Sequence, residues 1–488
     1  MPPLPTNPPS DRARRALVAI ITAVLGLIAL MLINGAPVVK DSAQNLQMAV
    51  NLSHTGIMSD GDQPPFRASM YREPLPVVVS AALVSIVDGV LGRADTAKYF
   101  SGARVKFIKY QNVAWVMLLW LAVFIAAQSF TRSLWWSIVA GLLAVKPFLS
   151  GSSALGVNDL YTELPAAVFI TCAAYTLTRA VQRGRGVDFV VAGLSFGLLA
   201  LTKAAMLYVF VGVVLVLLGA CLIRTTARRA LLAHIVVLCA SALIVVAPWM
   251  GRNWATFHQP QISERGGLVL YTRALMDEVT PLEYRGTFYV WARPAVQPFV
   301  GRVLGFTPAD LSMGGRLQRL NDDLGTQIHE HDMRAELAGR PQDAITLHRQ
   351  ARAERVRLEE YFERSGAAYP EVAADSAMSR EAVTLIKGEF WSNAALAIPL
   401  MWRCAPIIFP ALILALAYGL WTRDYLLALF VLPGLGLVVF YALATHFEPR
   451  PAMVAQSTAV IGVMVLVNAL WQRLRGVRQG GNSRAPSS

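Results

Sequence analysis

The sequence predicts an all-α polytopic membrane protein with about ten transmembrane helices, interfacial helices in the first outer loop and a mainly helical outer insertion. Of 488 residues, 55% are hydrophobic and only 15% charged, and the mean hydropathy is +0.47; soluble domains carry roughly 25% charge. Apolar runs of about 20 residues, enough to cross a hydrocarbon core, recur along the chain. Lys and Arg number 44 against 31 Asp and Glu, a formal net charge of +13, and the arginines cluster between apolar runs. That pattern suits membrane topology better than a nucleic-acid surface or an ordinary soluble enzyme. Cys172, Cys221, Cys239 and Cys404 lie within apolar runs without metal-ligand spacing, which predicts neither a disulfide framework nor a zinc site.

The crossing segments are expected at 16–34, 110–128, 133–150, 164–180, 187–202, 204–222, 230–249, 404–421, 425–443 and 452–472. Arg12, Arg14 and Arg15 precede the first and hold the N-terminus in the cytoplasm; its length and the lack of a small-residue cleavage site make it an uncleaved anchor. A further run, Pro76 to Gly92, decides parity. It is shorter, opens at Pro74-Leu75-Pro76 and contains Asp88, so it reads as a helix lying along the outer interface. The groups Arg179, Arg183, Arg185 and Arg224, Arg228, Arg229 then fall inside, as does the tail with Arg473, Arg475 and Arg478. Arg93, Lys98, Arg104, Lys106 and Lys109 are left outside, against the rule, unless they serve an anionic ligand.

The expected organisation is therefore a disordered cytoplasmic N-terminus (1–15), a transmembrane module (16–250), an extracytoplasmic segment (251–402), three C-terminal spans (403–472) and a disordered cytoplasmic tail (473–488). Outer loops cover 35–109 and 151–163. Within the third outer element, Pro341 to Ser365 reads as an amphipathic helix with Gly366 as its stop. No internal repeat is visible.

Asp41 follows the first span and starts a segment whose Leu46, Ala49, Val50 and Ser53 share a helical face ending at Gly56. Its carboxylate either caps that helix or works at the membrane surface, and capping does not exclude chemistry. Glu73, in YREPLPV, is either a first-turn carboxylate favoured by the helix dipole or a second functional acid. Asp159 and Glu163, in GVNDLYTELP, stand where the fourth span begins and share the side of Asp41. Lys146, Lys203 and Arg252 sit at outer span ends. Each alone could snorkel to the interface; together with Arg93 to Lys109 they suggest a bound phosphate or diphosphate.

His329-Glu330-His331-Asp332 reads as a solvated charged stretch, since adjacent helical positions diverge around the axis. His234 reads as packed. The Asn51-Leu52-Ser53 sequon carries little meaning without a eukaryotic secretory setting, and no Gly-rich phosphate loop, GxSxG or HExxH string is present.

The order of strings, an outer Asp41, YREPLPV, Pro147, YTELP, LTKAAM, PWMGRN and HFEPRP at 446–451, resembles the GT-C membrane glycosyltransferases, in particular the protein O-mannosyltransferases and aminoarabinose transferases. The likeness covers 16–265 well and the last three spans loosely. It implies a glycosyltransferase of the inner (plasma) membrane, with cytoplasmic termini and a periplasmic site. The donor would be a polyprenyl-phosphate sugar and the acceptor an extracytoplasmic lipid, glycan or protein. It matches Asp41 and Glu73 to catalytic positions. Asp159, Glu163, Lys146, Lys203, Arg252, Asn253, Arg104, Lys106 and Arg450 would bind substrate. Ser42 stands where many relatives carry a second acid, so no acidic pair supports a metal, and no cofactor is expected. Pro451 stands where relatives often have Tyr.

Two other classes compete. A lipid or solute transporter would show related halves and broken mid-membrane helices, whereas these spans divide seven plus three around a polar insertion. A non-catalytic envelope-assembly protein would retain the strings without activity.

Overall fold

The computed structural model describes residues 11–150, 156–223, 228–321, 323–446 and 448–481. Every helix longer than one short turn can be named in chain order: α1 (Asp11–Leu32), α2 (Asp41–Thr55), α3 (Pro74–Leu91), α4 (Gly102–Lys109), α5 (Gln111–Thr131), α6 (Leu134–Leu149), α7 (Glu163–Arg183), α8 (Gly186–Thr202), α9 (Ala205–Ile223) and α10 (Arg228–Phe257). The second half holds α11 (Gly266–Leu275), α12 (Pro281–Val290), α13 (Gln297–Leu304), α14 (Gln327–Leu337), α15 (Leu347–Arg364), α16 (Pro370–Gly388), α17 (Phe390–Cys404), α18 (Ile408–Trp421), α19 (Tyr425–Ala444) and α20 (Pro449–Gly481). Among the described residues there is no strand. The protein is an all-α polytopic membrane protein.

Among the described residues, eight stretches are long and apolar enough to cross a bilayer: α1, α3, α4 with α5, α7, α9, α10, α19 and α20. The bent pair α17 and α18 would make a ninth. All ten expected runs are helical, but α6 and α8 are only 16 and 17 residues long. At 18 residues α3 could also cross by length and hydropathy, so its interfacial placement rests on the parity argument alone.

Five boundaries differ from expectation. Residues 11–15 and 473–481 are helical rather than disordered, because α1 and α20 carry their helical pairing past the apolar run; 1–10, 482–488 and Arg224 lie outside the described residues. The run 404–421 is broken by a bend of 109° before Ile408. α10 continues past Pro248 to Phe257, so the PWMGRN string is helical. The amphipathic helix starts at Leu347 rather than Pro341, because Asp332 captures the Ile345 and Thr346 N–H groups at 2.7 and 2.8 Å.

The chain forms two compact units, which cut across the expected divisions. The first comprises Met1–Ser69, Leu75–Tyr175 and Gln456–Ser488. Its apolar core gathers Leu46, Val50, Val84, Val87, Tyr99, Val105, Ile108 and Leu160 from α2, α3, α4 and the turn before α7. Its membrane helices are joined by polar links, which are strong where no water competes: Trp120 Nε1 donates to Thr22 Oγ1 at 2.9 Å, Thr171 Oγ1 to Ser457 Oγ at 2.7 Å, and Asn468 Nδ2 to the Thr131 carbonyl at 3.1 Å.

The second unit comprises Met70–Pro74 and Thr176–Ala455. Here α8 lies directly on α10: a Cβ on Gly193 would sit 2.3 Å from the Leu238 carbonyl oxygen, so only glycine permits the approach. His234 stacks on Phe189 with ring centres 4.5 Å apart. In the insertion, Asp375 of α16 caps α11, accepting the Gly267 and Leu268 N–H groups at 2.9 and 3.0 Å. Residues from α11 to α17, including Tyr271, Tyr289, Phe306, Leu317, Leu347, Met378 and Leu396, make one core.

Candidate functional site

In the first unit α2 begins at Asp41, and Lys40, in the left-handed region at φ 53°, is the residue before it. Asp41 therefore lies inside the first turn rather than capping the helix. Gly56 ends α2 as expected, with φ 73° and its N–H on the Leu52 carbonyl. Ser42 and Asn45, on the inward face of α2, grip the turn that carries Asp159. Leu160 N donates to Ser42 Oγ at 3.0 Å, and Asn45 Nδ2 donates to the Leu160 carbonyl at 2.8 Å. From α5, Asn112 Nδ2 donates to the carbonyls of Val157 and Asp159, both at 2.9 Å. From the loop after α1, Asn34 N donates to Asn158 Oδ1 at 2.8 Å, and Asn158 Nδ2 returns a bond to the Leu32 carbonyl. Three chain segments thus fix one turn, and Asp41 and Asp159 are each next to a residue of the directly bonded pair Ser42 and Leu160.

This explains the serine after Asp41: its hydroxyl holds the turn from which another acid projects. Asp41 and Asp159 are half-buried, and Glu163, the first residue of α7, is buried. Among the described residues no three His, Cys, Asp or Glu side chains gather as a metal site.

Arg93, Arg104 and Lys109 have local partners. Arg104 donates to Asp88 at 3.3 Å and to the Leu91 and Gly92 carbonyls at 3.1 and 2.7 Å, closing the end of α3. Lys109 is fully buried and donates to the Ala36 carbonyl at 2.7 Å. Arg93 reaches the His54 carbonyl at 3.5 Å. The Arg104 guanidinium thus closes the end of α3. Lys106 is half-buried on α4, and Lys146 is exposed on α6.

In the second unit two distant strings meet. Glu73 precedes α3, and its Oε1 accepts the N–H of Ala204 at 3.4 Å, immediately after Lys203. Lys203 itself is only 6% exposed, in extended backbone at the end of α8. Its ammonium lies 5.9 Å from the Tyr441 ring centre. Glu73 thus stands directly before the first turn of α3 and also makes a contact across the fold. An apolar cluster of Ala200, Val246 and Ile262, with Ala204, Leu207, Trp249 and Met250, packs this turn against the end of α10.

There Arg252 lies between two rings, 4.7 Å from the Trp249 centre and 5.1 Å from that of Phe257. It donates to Asn253 Oδ1 at 2.8 Å. Asn253 is fully buried, and its amide donates to the Gln261 carbonyl at 2.6 Å. Trp249 Nε1 donates to the Ile262 carbonyl at 2.9 Å. Asn253 thus latches the chain leaving α10. Arg450 is the second residue of α20, with Glu448 3.9 Å away, and the bond from His446 holds the Glu448 carboxyl down at about 2.

That latched segment leads to residues the sequence did not single out. Glu264 N donates to the Met70 carbonyl at 3.0 Å, which ties residues 70–74 to the chain after α10. The guanidinium carbons of Arg72, Arg265 and Arg355 lie 5.3, 5.3 and 5.7 Å from the centre of the Tyr71 ring. Arg355 donates to Glu264 Oε1 at 3.1 Å, and Glu264 Oε2 finds no hydrogen-bond partner among the described residues. Burial pushes the Glu264 carboxyl up to about 8, with Arg355 opposing and Glu371 and Asp375 adding to the rise. Tyr71 was part of a recognised string, but nothing local marks Arg355 on α15 as its neighbour.

No family model matches the sequence, and no curated protein matches it. Solved structures do resemble the fold. The apo crystal structure of the Archaeoglobus fulgidus oligosaccharyltransferase superposes with a TM-score of 0.50 at 14% identity, over 97% of this chain and 52% of that one. The chain thus spans about half the length of that protein. ArnT from Cupriavidus metallidurans bound to undecaprenyl phosphate gives 0.36 at 12% identity, over 94% of this chain and 78% of that one. Arabinosyltransferase EmbB from Mycobacterium smegmatis gives 0.37 at 14% identity, over 96% and 42%. These two looser likenesses add no weight to the first. The shared architecture is that of the oligosaccharyltransferase, and the chain has the GT-C fold that its strings resemble.

Proposed function

We propose that the protein is a membrane glycosyltransferase that moves a sugar from a polyprenyl-phosphate donor to an extracytoplasmic acceptor, with inversion at the anomeric carbon. The observation that carries this reading is the meeting of YREP and LTKA, in which the Glu73 carboxylate accepts the backbone N–H of Ala204 directly after the nearly buried Lys203.

In this reading Lys203 and Arg252 act on the donor phosphate. As the acceptor oxygen bonds to the anomeric carbon, the bond from that carbon to the phosphate oxygen breaks, and negative charge grows on the leaving lipid phosphate. Fixed cations stabilise that charge more than the ground state. Asp41 accepts the acceptor's proton, or orients an acceptor already ionised. Glu73, Glu163 and Asp159 bind sugar hydroxyls or the acceptor, a positioning contribution. Lys146, Lys106 and Arg450 are assigned the rim of the anionic donor. The step as written needs no metal, and the periplasmic side of an inner membrane is the setting proposed for it.

The test is release of lipid phosphate from polyprenyl-phosphate sugars by membranes containing the protein. Wild type releases it and transfers the sugar; Asp41→Asn, inserted to the same level, does neither. Donors left intact by wild type, or full turnover by Asp41→Asn, overturn the reading. A transporter or scaffold would leave every donor whole.

A further inference from the structure

We propose that α17 lies along the bilayer surface with one edge sunk into a leaflet, so that the insertion following α10 rests on lipid rather than standing clear in water. The inference depends only on the chain being a membrane protein, not on the glycosyltransferase reading.

The helix has two unlike faces. Asn393, Leu396, Ala397, Leu400 and Cys404 are buried against the protein. Trp391, Ile398 and Trp402 are 81%, 56% and 37% exposed, and their spacing puts them on one helical edge. Large apolar side chains at such exposure mark a surface that water does not normally cover. Tryptophan is the side chain favoured where hydrocarbon meets headgroups.

Geometry selects lipid as the occupant. α17 is turned 109° from α18, so when α18 crosses the bilayer α17 runs close to its plane. α18 has 14 residues, about 21 Å at 1.5 Å per residue. That falls short of a hydrocarbon core of about 30 Å. Surface helices seat their apolar faces about 5–10 Å into the boundary, a depth that makes up the difference. The bend and the short span have one common explanation.

A second edge travels with the first. Tyr284 of α12 donates its hydroxyl to the Ala395 carbonyl at 3.2 Å, and the Arg403 guanidinium lies 5.1 Å from the Trp291 ring centre, at the end of α12. The next helix, α13, exposes Phe299 and Val303 at 67% and 65%. They are flanked by the exposed cations Arg293 and Arg302, the pairing of apolar edge and arginine that suits phosphate headgroups.

The wild-type protein in phosphatidylcholine vesicles, photolysed with a phospholipid bearing an acyl-chain diazirine and mapped by peptide mass spectrometry, tests this. Lipid adducts are expected on Trp391, Ile398, Trp402, Phe299 and Val303, and not on Leu396 or Leu400. A water-soluble carbene reagent should instead mark exposed Tyr361 of α15. The double variant Trp391→Glu, Ile398→Glu should lose most adducts on α17 while α18 keeps its own. The proposal is overturned if the water-soluble reagent marks the Trp391 edge as heavily as Tyr361, which would indicate solvent or a protein partner. Lipid adducts around the whole circumference of α17 would also overturn it, since they describe a deep broken span.

Discussion

The two units place their acids by different physics. In the first, Asp159 sits on a turn gripped by neutral groups: Ser42, Asn45, Asn112 and the Asn34–Asn158 pair, each bonded to backbone. In the second, Glu73 sits on a string held by charge: three arginines around Tyr71, one of them paired with a buried glutamate. Neutral amides donating to carbonyls keep their strength at any ordinary pH and salt. A guanidinium–carboxylate network on the polar insertion answers to both. The first arrangement holds the Asp159 turn whatever the conditions, and the second makes the position of Glu73 dependent on them.

The contrast breaks at its strongest point if Asp41→Asn leaves transfer intact. The expected loss is about 10²–10⁴-fold, typical of a lost general base, with unchanged elution by size exclusion in detergent. Next in size, Arg355→Ala should destabilise the second unit by about 3 kcal/mol above about pH 8, where the buried Glu264 is ionised and loses its guanidinium. Thermal unfolding measures this, and Arg355→Lys should recover only part. Lys203→Ala should weaken donor dependence by about 10–100-fold, the value of one charged hydrogen bond; an unchanged donor titration would return Lys203 to snorkelling.

Glu264 sharpens the comparison through pH. Its carboxyl is raised from 4.5 to about 8 in the folded protein, so between those values the folded state keeps a proton that the unfolded state has lost. This group's contribution to stability is therefore greatest below about 4.5 and falls as pH rises through about 8. Glu264→Gln should flatten that slope in melting experiments between pH 5 and 8; an identical slope would remove Glu264 as its source. The smallest effect is expected from Asn112→Ala, which strips two buried carbonyls of their donor and costs about 1–3 kcal/mol. That cost should be the same at pH 5 and pH 8.

Much of the site's vocabulary was legible. Asp41, Glu73 and Lys203 stand out because an ionisable group beside an apolar run has a price that hydropathy alone exposes. Their strings also keep an order that a fold imposes. Structural duties were not legible: Asn253 and Arg104 look like ligands in sequence, and the fold also has both donating to nearby backbone, as helix ends and chain reversals require. The break before Ile408 was not legible either, because hydropathy does not register a 109° bend.

The sequence by itself determined that the chain is helical and enters a membrane, since apolar length and charge clustering are local properties read residue by residue. Only the tertiary structure decided that Glu73 meets the backbone beside Lys203, that Ser42 holds the Asp159 turn, and that Arg355 reaches Tyr71. Those pairings depend on where long helices bring distant segments, and no local pattern encodes a contact whose partners are far apart along the chain.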